Sequence, residues 1–142
     1  KKSNVVSELE KNGCLDVMPE RENYLLLGDS LAGHYYYGLT TIFPEKNFLQ
    51  ATIKSCVPSV REPEDAFGDC GELSDHIFNQ YLLRQKKLKG VILSARWKNW
   101  HLEPLAEIVD YLKSIGHRPI VFGPSVEYKS RVPSPSFILN IR

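Results

Sequence analysis

Long apolar runs are missing from this 142-residue chain: none approaches the roughly 18–20 residues that a membrane-crossing helix needs. Charge of one sign is missing too. With 18 Lys and Arg against 17 Asp and Glu, a net charge of +1 offers no electrostatic basis for binding nucleic acid or an anionic membrane surface. The single basic cluster, "RQKKLKG" at 84–90, reads as the solvated end of a helix beside the negative end of its dipole. Neither G-x-G-x-x-G nor G-x-x-x-x-G-K-[ST] occurs, so nucleotide binding has no support. No Cys or His pair has the close spacing of a metal site, and neither metal nor cofactor is expected. The opening "KKSNVVSELEKNG" has no apolar segment of the signal-peptide kind. It starts on Lys, so the chain is expected to be a piece of a longer one.

Cysteine is scarce and odd in number, at three. Cys56 and Cys70 bracket "VPSVREPEDAFGD", a polar, proline-containing loop with little apolar content to hold it. A disulfide there would contribute about 3 kcal/mol on the chain-entropy model and imply an oxidising compartment. The alternative is two reduced, buried thiols. Cys14 is left unpaired, or paired with a cysteine outside these residues.

With 42% hydrophobic residues, one domain with its own core is expected. Residues 1–22 read as a polar lead-in, and 23–142 as a single domain. "NYLLLGDS" (23–30) is a short buried strand running into a turn, and Leu31, Tyr35, Leu39 and Ile42 predict a helix over 31–42. "NFLQATIKS" (47–55) alternates as a strand does, and a long loop follows over 56–72. Leu73, Ile77, Tyr81 and Leu88 predict a helix over 73–88 ended by Gly90. "VILSA" (91–95) is a continuously apolar strand of the kind buried on both faces of a parallel sheet. Leu102, Leu105, Val109 and Leu112 mark another helix, closed by Gly116, and "RPIVFGP" (118–124) is the next strand. "FILNI" (137–141) is a strand or a helix start.

This alternation predicts an α/β, three-layer α/β/α sandwich with a central parallel sheet. Sites in such folds lie beyond the carboxyl ends of the strands, which selects residues 28–30, 54–55, 94–97 and 123–124. Ser30 falls at the first. A serine after a strand and at a helix N-terminus is exposed above the sheet edge, and the unbonded N–H groups of the first helical turn can receive an oxyanion. It still needs a base, because serine is a poor nucleophile unaided. Asp and Ser are also ordinary helix caps, so the tripeptide alone leaves the choice open.

Taken in order, "YLLLGDSLAGHYYYGL", "ATIKSCVP", "GVILSARW" and "GHRPIVFGPSVEY" resemble the SGNH (GDSL-like) hydrolase superfamily. More narrowly, the chain is similar to the periplasmic SGNH domain of bacterial membrane O-acyltransferases that modify cell-surface polysaccharides. The resemblance covers about residues 23–128. It implies Ser30 as nucleophile and oxyanion donor, with Asp29 stabilising the turn. It places the further oxyanion positions, a glycine and an asparagine in the wider superfamily, at Ser55 and at Arg96–Trp97. Leu31 stands where relatives usually have histidine. The superfamily's general base sits in a C-terminal Asp-x-x-His, which this sequence lacks, so either a segment carrying it is missing or the domain is inactive.

His34, Tyr35 and Trp97 are candidate substrate contacts, and Trp100 shares with Trp97 the choice between stacking on a sugar ring and capping the core. His101 and His117 read as solvated, and Asp75–His76 point apart on a helix. The resemblance implies an extracytoplasmic domain that transfers or hydrolyses O-acyl groups of a glycan through an acyl-serine. Its partners would be an acyl donor, a cell-surface glycan and an attached or separate membrane acyltransferase domain, with tethering through a preceding region. The rival is a non-catalytic module of the same fold that binds polysaccharide or docks on a partner.

Overall fold

A computed structural model describes residues 4–61 and 68–123. Its centre is a parallel sheet of four strands, β1 (Asn23–Gly28), β2 (Asn47–Thr52), β3 (Leu88–Ser94) and β4 (Pro119–Val121), in the order β2-β1-β3-β4. The reason is visible in the side chains. Leu25, Leu27, Leu49, Ala51, Val91 and Leu93 face one side, and Leu26, Phe48 and Ile92 the other. A strand that must bury both faces favours an unbroken apolar run, hence "LLL" at 25–27 and "VIL" at 91–93.

Helix α2 (Ser30–Ile42) covers the second side through Ala32, Tyr36 and Leu39. The first and larger side receives α1 (Val5–Lys11), α3 (Asp69–His76), α4 (Leu82–Arg84) and α5 (Leu102–Ser114). The three-layer α/β/α arrangement expected from the sequence is therefore present. The stretch read as a polar lead-in already contributes to the core: Val5 and Leu9 of α1 pack against it, and Leu15 is buried in it.

The helix expected over 73–88 takes a different form. It starts earlier, widens into a π-helical segment at Ile77–Tyr81, and ends after Arg84, where Gln85 turns extended. The wide turn is held from outside, for Tyr111 Oη donates to the Phe78 carbonyl (2.6 Å) and Tyr81 Oη to that of Leu15 (2.7 Å). Gly90 does not end the helix. It lies buried inside β3, where an added Cβ would come within 2.9 Å of the Ile120 side chain. The lysines of the basic cluster accordingly follow the helix or enter β3 rather than cap a helical end.

Gly116 does close α5 as expected, with φ +85° and the His117 N–H donating to the Leu112 carbonyl (2.8 Å). His117, read as solvated, is instead buried, its ring bonded to the Leu82 carbonyl at 2.8 Å. His76 is also buried, close to Glu10 of α1. The disulfide joins Cys56 to Cys70 and ties the segment after β2 to α3, while Cys14 is free. The "FILNI" segment lies outside the described residues.

Candidate active site

The sheet register assembles the site. Gly28 pairs with Thr52 on one side and with Ser94 on the other, so the carboxyl ends of β1, β2 and β3 are level. From β1 the chain crosses to β2 at one flank, then returns past β1 to β3 at the other. Such a reversal opens a crevice between the loops that leave in opposite directions. Two or three residues beyond the level line stand Ser30, Ser55 and Arg96. Together with Asp29, Val57, Lys98, Trp100 and His101 they line an open cleft of about 380 Å³.

Ser30 is exposed at the first position of α2, where its N–H has no intrahelical acceptor. The turn beneath it admits only glycine at position 28. There φ is +153°, and a Cβ would lie 1.6 Å from the Ser94 carbonyl oxygen. Asp29 is buried, and both of its carboxylate oxygens are engaged: Oδ1 accepts from the Leu31 N–H and Oδ2 from the Arg96 N–H, each at 2.8 Å. It is a cap and a clamp at once.

Ser55 is the one described non-glycine residue with positive φ, at +61°. It thus holds the left-handed backbone that favours glycine, at the place where the resemblance expects one. After β3 the chain turns sharply. The Trp97 N–H donates to the Ala95 carbonyl (2.8 Å), and the Lys98 N–H donates to His101 Nδ1 (3.0 Å).

Four residues expected at the site, Asp29, Ser30, Ser55 and Arg96, therefore meet in one cleft from three separate loops. Three others do not line it. Trp97 is buried in the core, its indole N–H donating to the Phe122 carbonyl (2.9 Å), so it caps the sheet instead of stacking on a ligand. Tyr35 sets its ring edge against Phe122, with centroids 5.0 Å apart, and His34 is exposed on α2. Among the described residues, Trp100 is the indole that lines the cleft, and it is 72% exposed.

Lys98 and His101 were not among the expected site residues. The available signal was their position, a few residues past the end of a central strand. Among the described residues no three His, Cys, Asp or Glu side chains come together as metal ligands.

Compared with known families, residues 6–140 match the model of the SGNH domain fused to AT3 domains. The chain belongs to this family. The match carries the SGNH assignment beyond the four motifs to nearly the whole sequence, α1 included. It associates the domain with AT3 acyltransferase domains, and so with acyl transfer. No curated protein and no solved structure matches the chain significantly. No helix among the described residues of this SGNH domain is long and apolar enough to cross a membrane.

Proposed function

We propose that this SGNH domain transfers or removes O-acyl groups of a glycan through an acyl-serine at Ser30. The supporting observation is the exposed Ser30 at the head of α2, inside the cleft and above an Asp29 whose carboxylate is fully committed to the turn. In the first step Ser30 Oγ bonds to the acyl carbon and the ester C–O bond breaks, the departing oxygen taking up the serine proton through a base. The carbonyl oxygen carries the transient negative charge and faces the Ser30 N–H and the amides near Ser55. In the second step a sugar hydroxyl or water gives its proton to the base and bonds to the acyl carbon, the bond from that carbon to Ser30 Oγ breaks, and Oγ takes the proton back from the base.

A base carried outside this sequence suits this scheme, as the sequence itself has no Asp-x-x-His motif. An AT3 partner supplying the acyl donor, and an extracytoplasmic location in which the Cys56–Cys70 disulfide persists, complete the reading. The non-catalytic alternative rests on the same missing motif.

Labelling with a fluorophosphonate, in the chain with its natural flanking segments, separates the two readings. Labelling that disappears in Ser30→Ala supports the acyl-serine. An unlabelled parent chain, still folded, leaves the binding module.

A further inference from the structure

We propose that His101 is a hydrogen-bond donor to the ester group bound in the Ser30 cleft, and that it is not the base that activates Ser30. The inference rests on the acyl-serine reading above and adds a substrate contact to it. His101 lines the cleft on the β3 side, opposite the segment of Ser55 and Val57 that follows β2. Its place there invites assignment as the missing base. The hydrogen bonding of its ring argues otherwise.

The segment 98–101 is closed by a reciprocal pair: the His101 N–H donates to the Lys98 carbonyl (2.8 Å), and the Lys98 N–H donates to His101 Nδ1 (3.0 Å). A ring nitrogen that accepts from a backbone N–H holds a lone pair there and no proton. In the neutral imidazole the proton must then be on Nε2. An Nε2–H group gives a hydrogen bond but has no lone pair with which to take the serine proton. Turning the ring over would set a carbon against the Lys98 N–H and leave that donor without its acceptor. Trp100 packs against the ring, with centroids 5.5 Å apart and planes at 62°, further restricting such a turn.

The cleft therefore gains an Nε2–H donor on the β3 side, opposite the Ser55 segment. An ester carbonyl oxygen, which accepts in the ground state and accepts more strongly as it becomes an oxyanion, is the group that such a donor suits.

The test uses the ¹⁵N-labelled chain with its natural flanking segments, with His101→Asn assigning the ring signals. At neutral pH, long-range proton–nitrogen spectra are expected to show an unprotonated Nδ1 and a protonated Nε2. On phosphonylation of Ser30 by a fluorophosphonate, which leaves a tetrahedral phosphoryl oxygen in the cleft, the Nε2–H signal is expected to move downfield. Asparagine can still accept from the Lys98 N–H but does not reach as far as Nε2. His101→Asn is thus expected to slow phosphonylation about 100- to 1,000-fold without altering the shape of its pH profile, and the longer amide of His101→Gln to recover part of the rate.

A proton on Nδ1, an Asn variant that reacts at the parent rate, or the loss of one ionisation from its pH profile overturns the inference. Failure of Ser30 to react in the parent sinks the acyl-serine reading and removes the ligand that this donor serves. The tautomer, measured before reagent is added, tells the two failures apart.

Discussion

Asp29 and Arg96, 67 residues apart in sequence, are joined by a 2.8 Å hydrogen bond from the Arg96 backbone N–H to Asp29 Oδ2. The other oxygen of the same carboxylate caps α2 through the Leu31 N–H. One buried side chain thus couples the serine-bearing turn to the loop that follows β3, and the cleft lies between them. Asp29→Asn keeps a single acceptor and turns an amide N–H toward a backbone N–H. It is expected to destabilise the domain by about 1–3 kcal/mol. Urea unfolding monitored by circular dichroism measures this, and a loss under ~0.5 kcal/mol would contradict the clamp.

Ser55 holds its left-handed backbone without being glycine. That conformation costs a residue with a Cβ about 1 kcal/mol. Ser55→Gly is expected to leave stability unchanged or raise it by up to ~1 kcal/mol, with fluorophosphonate labelling retained. Ser55→Val is expected to lose about 1–3 kcal/mol. Thermal melts of the two variants read the sign directly, and a Val variant as stable as the parent argues against strain at this turn.

The Cys56–Cys70 disulfide closes a segment with a sequence separation of 14. Its reduction is expected to cost about 3 kcal/mol, seen as a lower urea midpoint in dithiothreitol. A Cys56→Ala/Cys70→Ala double variant should unfold at that lower midpoint with or without reductant. Cys14→Ala should leave the response to dithiothreitol as it is, because Cys14 is free.

Burial pushes the Tyr81 hydroxyl from its ordinary value of 10.0 up to about 12, while the hydroxyl donates to the Leu15 carbonyl. The folded state therefore holds the proton more tightly than the unfolded chain does. This contribution is complete below pH 10 and fades between pH 10 and about 12, as the unfolded chain ionises first. Tyr81→Phe is expected to be about 1 kcal/mol less stable at pH 8 and to lose less stability than the parent between pH 10 and 12. Urea midpoints across that range give both slopes. Equal slopes would remove Tyr81 from the alkaline transition.

Much of the fold was legible because its causes are local. Leu25, Leu26 and Leu27 in a row leave no solvent face, so β1 must be a central strand. Gly116 takes the left-handed turn that closes α5, a conformation set within a few residues of Leu112. Gly90 misled because glycine stops a helix and also permits close approach within a strand, and only the neighbouring Ile120 decides between the two. Trp97 and Trp100 are alike in composition and position, yet the sheet edge buries one and leaves the other in the cleft.

The sequence alone determined the alternation of strands and helices and the presence of Gly-Asp-Ser at a strand end, since both follow from side-chain periodicity and turn chemistry within a few residues. Only the tertiary structure decided that Asp29 reaches the Arg96 amide, that Cys56 meets Cys70, and that His101 stands in the same cleft as Ser30 with its Nδ1 already taken. Those relations depend on which strand lies beside which. In a parallel sheet, strand order is set by helical crossovers and by the burial of both faces, and sequence neighbours do not carry that information.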